Sequence, residues 1–195
     1  MPAYDPQTAL IVVDIQNDFA HPDGSLYVRG AEQVVVNANR AIAEATEAGA
    51  LVVYTQDWHP ADTPHFEKDG GIWPVHCVGG TWGAGFHDEL VSDAGPVVRK
   101  GVDGNDGYSG FTTRDPQSGD LHQTELEDIL LEAEVERCVV VGLATDYCVK
   151  ETVLDACRLG FEVLVPRRGI AAVNLQEGDG NAALLAMAES GALIE

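Results

Sequence analysis

RCVVVGLATDYCVKETVLDACRL, residues 137–159, combines a strand, a corner and a helix in one continuous segment. The apolar and β-branched run 138–141 has the length and composition of a buried strand, and Gly142 ends it. Apolar residues then recur at helical spacing until Gly160, which is typical of a helix C-terminus. A strand that leads directly into a helix is the building unit of an α/β fold, so this segment decides the fold class.

Cys148 stands at the predicted N-terminus of this helix. Backbone N–H groups without partners and the positive end of the helix dipole meet there, and both favour thiolate over thiol. The thiolate is the nucleophilic form of cysteine, and the same N–H groups could hold an oxyanion. A small core cysteine in a strand-to-helix corner fits the same pattern, so this segment alone leaves both interpretations open.

The alternation of strand and helix continues along the chain. Further strands are predicted at 8–13, 51–56, 96–100 and 161–165, and helices at 31–48, 124–134 and 181–190. Thr124 and Glu127 have the spacing of a capping box. Two segments rich in loop residues, 57–85 and 101–119, are predicted to be irregular. The pattern predicts an α/β fold with a mainly parallel central sheet and helices on both faces.

Length and composition favour one domain in a reducing compartment. The 195 residues show no compositional break, so we expect a single domain over residues 1–195. No apolar run approaches the ~18 residues of a membrane span, and the first residues lack the features of a signal peptide. The four cysteines have neither disulfide-framework nor zinc-finger spacing, which favours reduced thiols and a cytoplasmic location.

The net charge of −21 excludes two classes of partner. A surface this acidic repels nucleic acids and anionic membranes, so neither is expected as a partner. Acidic residues number 32, and only three lysines are present, Lys68, Lys100 and Lys150. This balance favours a protein from a saline cytoplasm, where ions screen the self-repulsion, over an ordinary acidic protein.

Four polar residues lie at or just beyond the C-terminal ends of predicted strands: Asp14, Asp57, Lys100 and Cys148. Ligands of open α/β sheets bind at that edge. Cys148 would attack a carbonyl carbon, and Asp14 would take the thiol proton and return it to the leaving amine. Lys100 would stabilise the thiolate and orient Asp14. A turn-capping aspartate and a surface lysine fit these positions one by one, and it is the combination that suggests catalysis.

The irregular segment 57–85 contains three of the six histidines, His59, His65 and His76, and Asp57 lies two residues before the first. Two residues at that spacing on extended chain point the same way and can chelate one ion. Three imidazoles and a carboxylate suit Zn²⁺, Fe²⁺ or Mn²⁺. We therefore predict a divalent metal site and interpret the other histidines as surface or structural residues: His21, His87 and His122.

These residues lie in motifs that resemble the nicotinamidase/pyrazinamidase family of the isochorismatase-like cysteine hydrolase superfamily. The motifs span about three quarters of the chain: VVDIQNDF (12–19), TQDWHP (55–60), HF (65–66), WPVHCVGGTWGAGFH (73–87), RKG (99–101), GYSGF (107–111) and VVGLATDYCVKETVLDA (140–156). The family departs from this chain before Cys148, where its members carry varied residues and this chain has Tyr147. That difference concerns specificity for ring substituents.

The resemblance implies a three-layer sandwich and the hydrolysis of nicotinamide to nicotinate and ammonia through a cysteine thioester. Catalysis would fall to Asp14, Lys100 and Cys148, and Asp57, His59, His65 and His76 would hold one divalent metal, with zinc favoured over iron or manganese. The ring would lie against aromatic side chains at Phe19, Trp73 and Tyr108. A cis peptide at Leu143–Ala144 would join the N–H groups of Ala144 and Cys148 in an oxyanion hole.

The same resemblance implies activity on pyrazinamide, a role in NAD salvage and a metal that grips the pyridine nitrogen. It leaves a homo-oligomer open. Two alternatives also stay open at this point. Related amidases that act on carbamoyl amines or maleamate lack the metal cluster, so a measurement of metal content distinguishes them from a nicotinamidase. A catalytically silent metal- or pyridine-binding subunit is the other alternative, and an intact Asp14, Lys100 and Cys148 argues against it.

Overall fold

The computed structural model describes residues 4–195 and contains a seven-stranded sheet in which every strand pair is parallel. The strands of the chain are β1 (Thr8–Val13), β2 (Leu51–Asp57), β3 (Val97–Lys100), β4 (Thr112–Arg114), β5 (Leu121–Gln123), β6 (Arg137–Leu143), β7 (Glu162–Val165), β8 (Ile170–Ala171) and β9 (Leu193–Ile194). The sheet has the order β3-β2-β1-β6-β7-β9, with β8 paired to β6, while β4 and β5 form a separate hairpin. The first and sixth strands are therefore neighbours at the centre.

Helices cover both faces of this sheet, as the sequence predicts. They are α1 (Asn17–Ala20), α2 (Ala31–Glu47), α3 (Leu126–Glu132), α4 (Lys150–Arg158) and α5 (Asp179–Glu189). One face packs against α2, whose buried residues include Val34, Val35 and Ile42. The other face packs against α3, α4 and α5, through residues such as Leu130 and Val153. The central strands β1 and β6 are buried on both faces, which explains their continuous apolar runs.

Two local expectations differ from the structure. The capping box at Thr124 and Glu127 is wrong: Thr124 Oγ1 accepts the N–H of Leu126 at 3.2 Å and donates to Gly110 O. The segment 101–119, expected to be irregular, contains β4, which pairs with β5 in an antiparallel hairpin. Short strands without an alternating apolar pattern leave no periodic signal, so the hairpin could not be read from the sequence.

Segment 57–85 contains little regular structure but is held by pairing between its two ends. His59 N–H donates to Cys77 O at 2.9 Å, and Gly79 N–H donates to His59 O at 2.9 Å. This parallel bridge brings the start and the end of the segment together. Within residues 4–195, no helix has both the length and the apolar character needed to cross a bilayer.

Candidate active site

The sheet brings Asp14, Lys100 and Cys148 to its carboxyl edge. Asp14 follows the last residue of β1, Lys100 ends β3, and Cys148 lies five residues beyond β6. Asp57 ends β2 and is paired in register with Lys100 on the adjacent strand. All four side chains are buried. Parallel strands that end at one edge thus place these groups within reach of one another.

Lys100 is the centre of a buried ion-pair network. Its Nζ lies 2.7 Å from Asp14 Oδ2 and 3.0 Å from Asp57 Oδ1, and it donates a hydrogen bond to Gly107 O. Thr55 Oγ1 donates to the other oxygen of Asp14 at 2.6 Å. A buried ammonium is tolerated only with such pairing, and here two carboxylates face one cation. The expectation of a surface lysine, left open by the sequence, does not hold at this position.

The network separates the proton affinities of its carboxylates. Burial, together with the charge of Asp57, raises the pKa of Asp14 to about 6 against the attraction of Lys100. Burial also acts on Asp57, but Lys100 and the neighbouring histidines hold its pKa well below the usual range. The two carboxylates raise the pKa of Lys100 against the opposing effect of burial. Asp14 is therefore the carboxylate able to exchange a proton near neutral pH.

Cys148 lies in a turn of π-helix, Thr145–Val149, and α4 continues from it. Its Sγ lies within 4.8 Å of a carboxylate oxygen of both Asp14 and Asp57. Burial raises the pKa of the thiol well above its ordinary value, Lys100 opposes this, and the two carboxylates add to it. The expectation that this position favours a resting thiolate is therefore wrong, because two converging carboxylates and burial outweigh one lysine.

The corner before Cys148 has a cis peptide bond between Leu143 and Ala144. In the described residues, the N–H groups of Ala144 and Cys148 donate to no backbone acceptor outside the turn 144–149. Both residues line the same cavity. The corner thus offers two backbone donors beside the thiol.

Next to this set, His59, His65 and His76 form a second group, which we call the histidine cluster. The three side chains are buried, and one ring nitrogen from each lies within 4.8 Å of the others. The bridge between His59 and Val78 accounts for this, because it carries His76 back beside His59. Gly101 allows its own backbone to lie close to the His59 ring, because a Cβ there would lie 2.6 Å from that ring.

Hydrogen bonds leave one nitrogen of two cluster members available. His65 Nδ1 lies 2.6 Å from Asp106 Oδ1, and His76 Nδ1 lies 2.7 Å from Pro74 O. Both ring nitrogens of His59 are buried without a hydrogen-bond partner among the described residues. Burial lowers the pKa of His76 to about 4, so its imidazole is neutral at pH 7. Buried imidazole nitrogens without protons or partners are what a transition metal binds.

Asp57 lies between the two groups. Its Oδ1 faces Lys100, and its Oδ2 lies 3.7 Å from His59 Nε2. The two ring nitrogens of His59 are buried without a hydrogen-bond partner among the described residues, and a metal ion would satisfy one of them. The donor set of three imidazoles and a carboxylate therefore fits a divalent metal.

A cavity opens beside both groups. Its apolar and aromatic lining includes the predicted contacts Phe19, Trp73 and Tyr108, and Tyr147 contributes a further ring. Trp73 Nε1 donates to Tyr108 OH at 2.8 Å, and the rings of Trp73 and Tyr147 meet edge to face at 4.9 Å. Cys148, His65 and His76 also line it. A flat aromatic ring of modest size fits such a cavity.

Sequence reasoning did not identify several residues that support the site. Gln16 clamps β2: its Nε2 donates to Asp57 O at 2.8 Å, and its Oε1 accepts Asp57 N–H at 2.8 Å. Asp106 contacts the histidine cluster from the other irregular segment. Gly107 leaves room for Lys100, because a Cβ there would lie 2.9 Å from Lys100 Cβ. Gln16 and Gly107 belong to the motifs VVDIQNDF and GYSGF, and that membership is the sequence signal that could have identified them. Asp106 belongs to none of the motifs.

Comparison with known proteins gives a consistent result. The chain matches the family model of the Isochorismatase domain over residues 8–194. It is 38% identical to the nicotinamidase of Escherichia coli (strain K12), over 97% of this chain and 94% of that protein. It is also 38% identical to a structure of the pyrazinamidase of Pyrococcus horikoshii in complex with zinc, with a TM-score of 0.85 over 97% of this chain and 99% of that one. A structure of PnC1 from L. infantum in complex with nicotinate gives a TM-score of 0.89 at 33% identity, over 100% and 95% of the two chains.

Proposed function

This chain belongs to the isochorismatase domain family, and we propose that it is a hydrolase that converts nicotinamide to nicotinate and ammonia. One observation carries the proposal: Cys148, which lies beside the paired Asp14 and Lys100, lines an aromatic cavity. His65 and His76 of the histidine cluster line the same cavity. The first group suits attack on an amide carbonyl, and the second suits recognition of a ring with a basic nitrogen. The nicotinamidase and pyrazinamidase relatives support the same substrate class.

Acylation begins from a neutral thiol and an ionised Asp14, because the pKa of the thiol is raised well above its usual range and that of Asp14 is about 6. Asp14 accepts the thiol proton as the sulfur attacks the amide carbon, so the thiolate exists only during the step. Lys100 stabilises the negative charge on the sulfur and orients Asp14 through the contact of 2.7 Å.

The electron pair of the carbonyl moves to its oxygen when the C–S bond forms. The N–H groups of Ala144 and Cys148 are proposed to stabilise that oxyanion, because they have no backbone acceptor outside their own turn. Collapse of the tetrahedral species breaks the C–N bond, and Asp14 returns its proton to the departing ammonia. The acyl group remains bound to Cys148 as a thioester.

Deacylation reverses these roles. Asp14, ionised again, takes a proton from a water molecule as that water attacks the thioester carbon. The C–S bond then breaks, the sulfur recovers a proton from Asp14, and nicotinic acid leaves. In solution it ionises to nicotinate, and the released ammonia takes up that proton. Each proton that Asp14 accepts is returned within the cycle, so the reaction consumes one water per amide.

Asp57, His59, His65 and His76 are proposed to hold one divalent metal, with zinc favoured. When bound, such an ion supplies a Lewis acid for a ring nitrogen and thereby orients the ring. Phe19 and Trp73 contribute aromatic faces for the pyridine, and Tyr108 fixes the indole of Trp73 through its hydroxyl group. Activity on pyrazinamide, whose ring also has a nitrogen at that position, and a role in NAD salvage follow as parts of the proposal.

The experiment that tests this function is ammonia release from nicotinamide by the purified protein, before and after chelation of metal. We expect turnover with zinc, loss of turnover with a chelator and recovery when zinc is returned. Benzamide, which lacks the ring nitrogen, serves as the matched substrate and should be hydrolysed poorly. A zinc-loaded protein that releases no ammonia from nicotinamide would contradict the proposal.

A further inference from the structure

Asp106 makes a contact that the catalytic cycle does not use. Its Oδ1 lies 2.6 Å from His65 Nδ1, and the His65 side chain is 4% exposed. In a neutral His65 the carboxylate accepts the hydrogen of Nδ1–H, which leaves the lone pair on Nε2. That nitrogen is then free on the side of the ring away from Asp106, and the His65 ring lies 4.5 Å from that of His59 and 5.2 Å from that of His76.

We infer that Asp106 is a positioning residue that holds His65 in the tautomer and orientation of a direct metal ligand. The inference rests on the metal site of the proposed function. It goes further by assigning a role to a residue outside every recognised motif. Carboxylate partners of this kind fix the ring and raise the basicity of a metal-binding histidine.

The position of Asp106 is itself fixed by the backbone. Its N–H donates to Arg114 O at 2.7 Å, and its carbonyl accepts the N–H of Arg114 at 2.9 Å. This antiparallel bridge attaches Asp106 to β4, so the carboxylate reaches His65 from an anchored strand end. Thr63 Oγ1 adds a second link, because it donates to Gly104 O at 2.8 Å and accepts the N–H of His65 at 3.3 Å.

The other cluster members provide an internal comparison. Pro74 O occupies the place on His76 that Asp106 occupies on His65, at 2.7 Å from Nδ1. Two histidines thus have Nδ1 bonded to oxygen and Nε2 left over, which is the arrangement of ligating imidazoles. An ordinary ion pair between Asp106 and a protonated His65 is the competing explanation, and it would make His65 unable to bind a metal.

Asp106 also connects the cluster to the catalytic groups. The next residue, Gly107, accepts the hydrogen bond of Lys100 Nζ, and the one after it, Tyr108, accepts that of Trp73 Nε1. Three successive residues therefore contact the cluster, the catalytic lysine and the aromatic wall. Loss of the Asp106 contact should consequently disturb metal binding first and the aromatic wall only secondarily.

The test measures zinc affinity by competition with a chromophoric chelator, which requires no turnover. Asp106→Ala should weaken zinc binding about 10- to 100-fold. Asp106→Asn keeps an oxygen that can accept the Nδ1–H, so it should lose less than the alanine variant. Asp103→Ala is the matched control, because Asp103 is an exposed aspartate of the same loop and its removal changes the net charge equally. It should bind zinc within about twofold of the wild type.

A double-mutant cycle with His65→Ala separates positioning from general destabilisation. His65→Ala should weaken zinc at least as much as Asp106→Ala, and the double variant should be no weaker than His65→Ala alone. The absorption spectrum of the Co²⁺-loaded protein should change in both single variants and not in Asp103→Ala. Melting temperatures identify a variant that fails to fold, and in that case Asp106→Asn carries the comparison.

Unchanged zinc affinity in Asp106→Ala or in His65→Ala would overturn the inference, as would additive losses in the double variant. Failure of the proposed function looks different: the wild type itself would bind no zinc or would not release ammonia from nicotinamide. If the wild type is active and binds zinc while Asp106→Ala binds zinc equally well, the proposed function stands and only this inference is rejected.

Discussion

The carboxyl edge of the sheet and the irregular segments 57–85 and 101–111 contribute to one site, but they position their side chains in different ways. Asp14, Lys100 and Cys148 are placed by parallel strands whose register brings their ends together. The histidine cluster is placed by single bridges and side-chain hydrogen bonds, such as those of His59 and Asp106. The reacting groups thus depend mainly on the sheet, whereas ring recognition depends on the loops.

The largest effect is expected at the strand-placed nucleophile. Cys148→Ala should reduce kcat for nicotinamide at least about 10⁴-fold, because no other group in the proposed cycle can take the acyl group. Zinc content should stay near that of the wild type, since Cys148 is not one of the proposed ligands. Ammonia release by discontinuous assay and metal analysis of the same sample check both statements. A variant with clear residual turnover would show that the strand edge does not supply the nucleophile.

Lys100 belongs to both regions, because it ends β3 and contacts Asp57 beside the histidine cluster. Lys100→Met should lower the free energy of unfolding by about 3–5 kcal/mol, since it leaves two buried carboxylates without their cation. Asp14→Asn in the same chain should recover part of that loss by removing one of the charges. Denaturant titrations of the wild type and the variants provide the measurement. Equal stability of wild type and Lys100→Met would mean that the ion-pair network contributes nothing.

Much of the strand-placed region could be predicted from the sequence, and less of the loop-placed region. The predicted strand 8–13 has the bounds of β1, because buried parallel strands have unbroken apolar runs. The π-helical turn at Cys148 and the raised pKa of its thiol could not be predicted, since both depend on how distant carboxylates converge. Asp106 could not be found for the same reason: its contact with His65 spans 41 residues between two irregular segments.

The acidity of Asp14 gives the next prediction. Burial raises its pKa to about 6, with Lys100 opposing and Asp57 adding to the shift. Only the ionised carboxylate can accept the thiol proton, so kcat/KM should fall about tenfold for each pH unit below 6 and stay level above about 7. The folded pKa is higher than the unfolded one, so Asp14 itself favours the folded state as pH falls through this window, and the decline should not be unfolding. Initial rates at saturating zinc, with metal content determined at each pH, check this.

A decline of kcat/KM centred near pH 4 at constant zinc content would contradict the assignment of Asp14 as the base. A decline that follows the loss of zinc would instead trace the effect to the histidine cluster. The pH profile therefore distinguishes the strand-placed region from the loop-placed one.

The smallest effect concerns the surface rather than either region of the site. With a net charge of −21, the repulsion between surface charges should weaken as the Debye length falls from about 10 Å at 0.1 M salt to about 3 Å at 1 M. The melting temperature should therefore rise with KCl, by about 3 °C for each kcal/mol of repulsion relieved. Sulfate is avoided because it strengthens apolar burial by itself. A flat or falling melting temperature would reject the interpretation of the acidic surface as an adaptation to salt.

The binding of two aldehydes tests most directly the central claim that Cys148 reacts with the carbonyl group and the histidine cluster recognises the ring nitrogen. Nicotinaldehyde and benzaldehyde can both add the thiol of Cys148, but only the first has a ring nitrogen. In zinc-loaded wild type, titration calorimetry should give clearly tighter binding of nicotinaldehyde than of benzaldehyde. Cys148→Ala should weaken the binding of both aldehydes. His59→Ala should weaken only the binding of nicotinaldehyde, to the level of benzaldehyde. Equal binding of the two aldehydes by the wild type, or a preference that survives in His59→Ala, would contradict the account.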